Sequence, residues 1–212
     1  MHSLKEIDLS NLDLSNLIYM EYMFYGCSSL KSIDFSNLNL SKVHSLASVV
    51  EGCTSLKSAN FSNTQTSSLV NMTSMFSGCT SLEEVDFSNF STKNVYRMSN
   101  MFSSCTSITS IDLSGFDTSS VNDTTEMFSD CISLNYLDIS NFNLSICDTY
   151  DNMFENTSSI KYINLYNVID NNTISEMFNE SNELYVCQKK ILFQIKMLKI
   201  AVLIILKLKN VI

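Results

Sequence analysis

Met75-Phe76-Ser77-Gly78-Cys79-Thr80-Ser81-Leu82-Glu83-Glu84-Val85-Asp86-Phe87-Ser88-Asn89-Phe90 is the stretch whose reading decides the fold. It returns 26 residues later as Met101-Phe102-Ser103-Ser104-Cys105-Thr106-Ser107-Ile108-Thr109-Ser110-Ile111-Asp112-Leu113-Ser114-Gly115-Phe116, and again from Met127 to Phe142. Backward along the chain it starts at Met23 and, degraded, at Val49. A fixed period of this length is the mark of a stacked array, in which each unit contacts only its neighbours.

The columns of the array assign a conformation to each part of the unit. Met72, Met75 and Phe76, like Met98, Met101 and Phe102, place apolar residues three and four apart. That spacing predicts a short helical turn burying one face. The run closes at Gly26, Gly52, Gly78, Ser104, Asp130 and Asn156, where glycine favours the left-handed backbone that ends a helix. An unbroken serine column follows (Ser29, Ser55, Ser81, Ser107, Ser133, Ser159). Ile33-Asp34-Phe35-Ser36 and its equivalents Val85–Ser88, Ile111–Ser114 and Leu137–Ser140 then alternate apolar and polar residues, the period of a strand with one buried face. Stacking such units sets the strands parallel, about 4.8 Å apart, in one long sheet. Residues 1–184 hold this solenoid of about seven coils, the first partial and the last shortened.

Composition bounds the partners. Residues 1–187 carry all 22 acidic side chains against seven basic ones, a net of −15, which argues against nucleic acid as a partner. Residues 185–212 form a basic apolar tail that, from Gln188 on, has six lysines and no acid. Three readings of the tail stay open: a basic amphipathic helix on an anionic membrane, a helical cap on the last coil, or an artefact of a frameshift or misjudged gene end. Met1-His2-Ser3-Leu4 enters repeat sequence directly, without the basic and apolar regions of a signal peptide, so the chain is either cytosolic or has lost its N-terminal part; the second is expected, because the array opens without a cap.

Few columns carry chemistry. Cys27, Cys53, Cys79, Cys105 and Cys131 give way to Thr157 and Ser181, the behaviour of small buried residues filling a corner; stacking would also bring neighbouring members within disulfide range, though five cannot all pair. They contain no Cys-x-x-Cys pair, and His2 and His44 lie outside the column, so a zinc site is not expected. Asp8, Asp34, Asp86, Asp112 and Asp138, with Ser36, Ser88, Ser114 and Ser140 two places on, point away from the core and form the candidate binding face. One carboxylate per coil is thin support for a calcium strip. The asparagine column (Asn11, Asn37, Asn63, Asn89, Gly115, Asn141, Asn167) suits bonding to backbone groups where the strand ends. The loops Ser91-Thr92-Lys93-Asn94 and Asp117-Thr118-Ser119-Ser120 differ from coil to coil, as recognition positions do. No nucleophile elbow, phosphate loop or metal-spaced histidine pair is present, so neither an enzyme nor a cofactor is expected.

The unit Met-Phe-x-x-Cys-x-Ser-Leu-x-x-x-Asp-Phe/Leu-Ser-Asn-Phe resembles the repeat of the BspA-like leucine-rich repeat surface proteins, first catalogued in mycoplasma surface lipoproteins. The resemblance covers roughly Leu4 to Leu184; Val49-Val50 and Ala59-Asn60 in the second coil depart from it. It implies an α/β repeat: a leucine-rich-repeat-like solenoid with one long parallel β-sheet and a short helical turn per coil. It also implies a non-catalytic module, displayed on a cell surface or secreted, that binds a protein or other macromolecule or serves in adhesion. The alternative is a structural spacer held to an anionic membrane by the basic tail.

Overall fold

The computed structural model describes residues 3–165, Met177 and the strand Val186–Cys187. The tail from Gln188, and most of the shortened last coil, lie outside the described residues. Among the described residues seven short strands occur in chain order: β1 (Ser32–Asp34), β2 (Ser58–Asn60), β3 (Glu84–Asp86), β4 (Ser110–Ile111), β5 (Tyr136–Asp138), β6 (Tyr162–Asn164) and β7 (Val186–Cys187). Every pairing among the described residues is parallel, and within β1–β3 and within β4–β6 the register advances one repeat at a time, as in Ile33↔Ala59↔Val85 and Leu137↔Ile163. No helix among the described residues is long and apolar enough to cross a membrane.

β1, β2, β3 and β5 each stop at an Asp or Asn whose side chain turns the chain. Asp34 Oδ1 accepts the Ser36 N–H at 2.8 Å, and Asn60 Oδ1 accepts the Ser62 N–H at 3.0 Å. Two further bends of the coil use the same device: Asn39 Oδ1 takes the Ser41 N–H at 3.1 Å, and Asn71 Oδ1 takes the Thr73 N–H at 3.0 Å. Such side-chain turns compete with regular structure for the backbone. They keep the strands to two or three residues.

The helical turn expected in each coil does not form in the coils described up to residue 165. From Met72 to Cys79 the N–H groups alternate between two destinations. Those of Met72, Ser74, Phe76 and Gly78 reach the carbonyls of Arg97, Ser99, Met101 and Ser103 in the next coil, at 2.8–3.0 Å. Those of Met75, Ser77 and Cys79 reach back three residues to Met72, Ser74 and Phe76. A helix needs every N–H to point along one axis. Here half of them leave for a neighbour, and Ser74 (φ 54°) and Gly78 (φ 70°) both take left-handed backbone. The apolar spacing reads as helical because three and four residues also separate the inward positions of these linked turns.

The single long sheet is likewise divided: β1-β2-β3 form one sheet and β4-β5-β6-β7 another. The interruption falls where the columns change identity, Leu113 taking the place of Phe87 and Gly115 that of Asn89. The amide ladder in which Asn89 Nδ2 donates to Asn63 Oδ1 at 2.9 Å therefore has no successor at Gly115. On the turn side the stack continues unbroken, as in Phe76 N–H to Met101 O and Phe102 N–H to Met127 O, both 2.9 Å.

The core is one continuous column inside the coils. Phe76, Phe102, Phe128 and Phe154 stack face to face with centroids 5.4, 5.6 and 5.5 Å apart and planes within 5°. All four are fully buried, as are the cysteines of the neighbouring column. A single coil buries too little surface to be stable alone; the stack supplies it.

Candidate binding face

The outer surface of the two sheets is built from the residues that alternate with the buried strand positions. Asp34, Asp86, Asp112 and Asp138 lie on it, and Asp8 occupies the equivalent position in the first coil, ahead of β1; one oxygen of each serves the fold first. Asp86 and Asp112 each accept the backbone N–H of the serine two residues on, at 2.8 and 2.9 Å. In Asp8 the Ser10 hydroxyl adds a second bond at 2.6 Å. These bonds, hydroxyl and then backbone, hold the carboxyls of Asp8, Asp86 and Asp112 below the usual carboxylate range. At Asp138 partial burial pulls upward, yet bonds from Ser140 and from Asn164 Nδ2 (3.0 Å to Oδ2) outweigh it and lower the value.

The geometry divides the candidate residues into groups. Asp34 and Asp86 line a shallow depression of about 430 Å3 over β1–β3, together with Ser32, Ser58, Asn60 and Glu84. Asp112, Ser114, Asp138 and Ser140 line a second, of about 400 Å3, over β4 and β5. Asp8, Ser36 and Ser88 line neither. Among the described residues no cluster of His, Cys, Asp and Glu has the geometry to hold a metal ion.

Two side chains on this face were not singled out by sequence. Tyr136 and Tyr162 stack in parallel with centroids 5.1 Å apart and planes at 4°. Tyr136 is 49% exposed. The signal was an aromatic pair in a column otherwise filled by Ser32, Ser58, Glu84 and Ser110. The charge on the face is uneven. Lys57 is engaged with Glu83 at 2.9 Å, an exposed ion pair, and from Glu84 to Tyr136 the strand positions hold carboxylates and no cation.

The variable loops are only partly free. Lys93, Asn94 and Ser119 are exposed, but Thr92 and Thr118 are buried and bond the next coil. Cys27, Cys53, Cys79, Cys105 and Cys131 face inward as free thiols, and the last four each donate S–H to a carbonyl of the preceding coil at 3.1–3.2 Å.

A family model described as a Mycoplasma protein of unknown function, DUF285, matches residues 1–109 and 81–189. No curated protein matches the chain. Among solved structures, a leucine-rich repeat protein from Bacteroides ovatus is 23% identical, with a TM-score of 0.59 over 87% of this chain and 43% of that one. A leucine-rich repeat protein of T. pallidum is 18% identical, with a TM-score of 0.38 over 70% of this chain and 52% of that one. The likeness to the Bacteroides protein is one of fold: a leucine-rich-repeat solenoid. This chain spans less than half of that protein's length.

Proposed function

The chain belongs to the DUF285 family, and from that premise we propose that it is a non-catalytic binding module recognising a macromolecular partner through the exposed strand face. The carrying observation is that face itself. Six strands from β1 to β6 present their alternate side chains outward, with two depressions lined by residues of successive coils. Extended repetitive surfaces of this kind suit large partners. The likeness of the repeat to BspA-like surface proteins supports display on a cell surface, or secretion, and a role in adhesion.

The full chain, immobilised and presented with a panel of purified extracellular proteins, tests the reading. Binding that is lost in Asp34→Asn/Asp86→Asn/Asp112→Asn and kept in Glu51→Gln/Glu155→Gln, on the turn side, supports it. No binding across the panel, or equal loss in both variants, overturns it. Protease accessibility on intact cells tests display separately.

The composition of residues 188–212 favours one second reading, a spacer tethered to an anionic membrane. Co-sedimentation of the full chain with phosphatidylserine vesicles, lost on removal of those residues, supports the tether. A full chain that stays in the supernatant excludes it.

A further inference from the structure

The face over β3–β6 differs from the rest of the strand surface in three respects. It straddles the interruption between the two sheets. It carries the stacked Tyr136–Tyr162 pair, whose outer ring is half exposed. It also gathers Glu84, Asp86 and Asp112, all exposed, with no cation within ion-pair distance of any of them among the described residues. Of the strand-side lysines, Lys57 precedes β2 and is already paired with Glu83, and Lys161 precedes β6.

The charges here reinforce one another. The Ser114 bonds keep Asp112 ionised, while the charge of Asp86 pushes in the opposite direction, so the two carboxylates share one field. Each binds the backbone N–H of its serine through Oδ1 and keeps further acceptor capacity toward solvent, since a carboxylate has about four lone-pair sites. A flat aromatic face beside uncompensated carboxylates is what a guanidinium recognises, since it stacks on the ring and donates in a fork to a carboxylate. The chain makes the stacking half of that contact elsewhere: the Arg97 guanidinium lies 5.2 Å from the centre of the Tyr96 ring.

We infer that the strand face from Glu84 to Tyr162 docks an extended, arginine-bearing peptide segment of a partner protein, one arginine over Tyr136 and another between Asp86 and Asp112. This rests on the reading of the strand face as the contact surface and names the chemistry of what it takes. Asparagine already serves in the aspartate column at Asn60, where it makes the same turn. An Asp→Asn change therefore removes charge and keeps the fold.

The test is fluorescence anisotropy with a labelled nine-residue peptide carrying arginine at alternate positions, and its citrulline counterpart, on the full chain at physiological ionic strength. The arginine peptide binds and the citrulline peptide does not. Asp86→Asn/Asp112→Asn weakens binding about tenfold and Tyr136→Ala about fivefold, with melting temperatures unchanged. Glu51→Gln/Glu155→Gln, which removes the same charge from the turn side, changes it less than about twofold. Equal weakening by the turn-side pair would show attraction to net charge alone and overturn the inference. So would equal binding of the citrulline peptide, or no binding of the arginine peptide. If the arginine peptide fails while a panel protein still loses binding to the strand-face variant, the arginine chemistry falls and the face reading stands. If both fail, both fall.

Discussion

Thr92 and Asp117 are joined in both directions across the coil boundary: the Thr92 hydroxyl donates to the Asp117 carbonyl at 3.0 Å and accepts the Asp117 N–H at 2.8 Å. Thr118 repeats the pattern with Asn143, accepting its N–H at 2.7 Å and donating to its carbonyl at 3.3 Å. One buried hydroxyl thus satisfies both backbone groups of a residue that has no strand partner there. Thr92→Val keeps the shape and strands that donor and acceptor, so a loss of about 1–3 kcal/mol is expected. Thr92→Ser restores most of it. Urea denaturation of the three proteins measures this, and a valine variant as stable as the parent would refute the role given to the hydroxyl.

The left-handed column offers a graded test of backbone strain. At Gly78 (φ 70°) an added Cβ meets nothing closer than the Gly52 Cα at 3.6 Å, so space is not the constraint; conformation is. The same column holds Ser104, Asp130 and Asn156 at φ 56–61°. Gly78→Asn should therefore be nearly neutral, Gly78→Ala should cost about 1 kcal/mol, and Gly78→Val more. Thermal melts that rank the three in another order would show that packing against Gly52 decides the position.

The period, the parallel register and the inward columns were all legible in the sequence, because a repeat reports its own stacking: residues 26 apart in Ser32↔Ser58 and Ser58↔Glu84 do pair. The turn side was not, for a physical reason. Met72, Met75 and Phe76 present the same spacing to a helix and to linked turns, and the difference lies in where the N–H of Ser74 goes, 25 residues onward to Ser99. No local pattern reveals an acceptor in another coil. A weaker signal existed in the loops. Leu40, Thr66, Thr92, Thr118 and Leu144 form a column of apolar residues or threonine, which marks an inward position, and all five are buried. Variation around Thr92 and Thr118 drew attention to recognition and hid that constancy. For the face, the aspartate column was readable as outward, but the turn each carboxylate makes, the two depressions and the tyrosine pair needed coordinates.

Asp112 separates the two uses of its carboxylate. Its turn with Ser114 needs an oxygen and no charge, as Asn60 demonstrates with Ser62. Asp112→Asn should leave stability within about 0.5 kcal/mol of the parent, whereas Asp112→Ala, which frees the Ser114 N–H, should cost about 1 kcal/mol. The pH dependence follows in sign. The folded carboxyl sits below its usual value of 3.8, so its contribution is present above that pH and is lost as pH falls through the folded value. Between pH 5 and pH 3 the parent should lose more stability than the asparagine variant. Parallel curves for the two would remove the carboxylate from the account.

The thiol column works in the opposite direction. Burial pushes Cys53 and Cys131 from an ordinary value of 9.0 up to about 12, and raises Cys79 and Cys105 as well. A folded thiol that keeps its proton while the unfolded one releases it stabilises the fold fully below pH 9, and that contribution drains away as pH rises toward the folded value. Each such group contributes a slope of up to about 1.4 kcal/mol per pH unit above that point. Urea midpoints measured from pH 8 to pH 11 should fall, and fall less steeply in Cys131→Ala than in the parent. The alanine variant is also less stable at neutral pH, because it loses the S–H donation to the Phe102 carbonyl at 3.1 Å and leaves a small void. The comparison is therefore one of slopes. A disulfide exchange reagent gives an independent reading: half-buried Cys147 should react in the native protein, while the five column cysteines stay silent until it unfolds. Equal slopes together with prompt reaction of the column would place those sulfurs in contact with solvent and dissolve the ladder of S–H donors between coils.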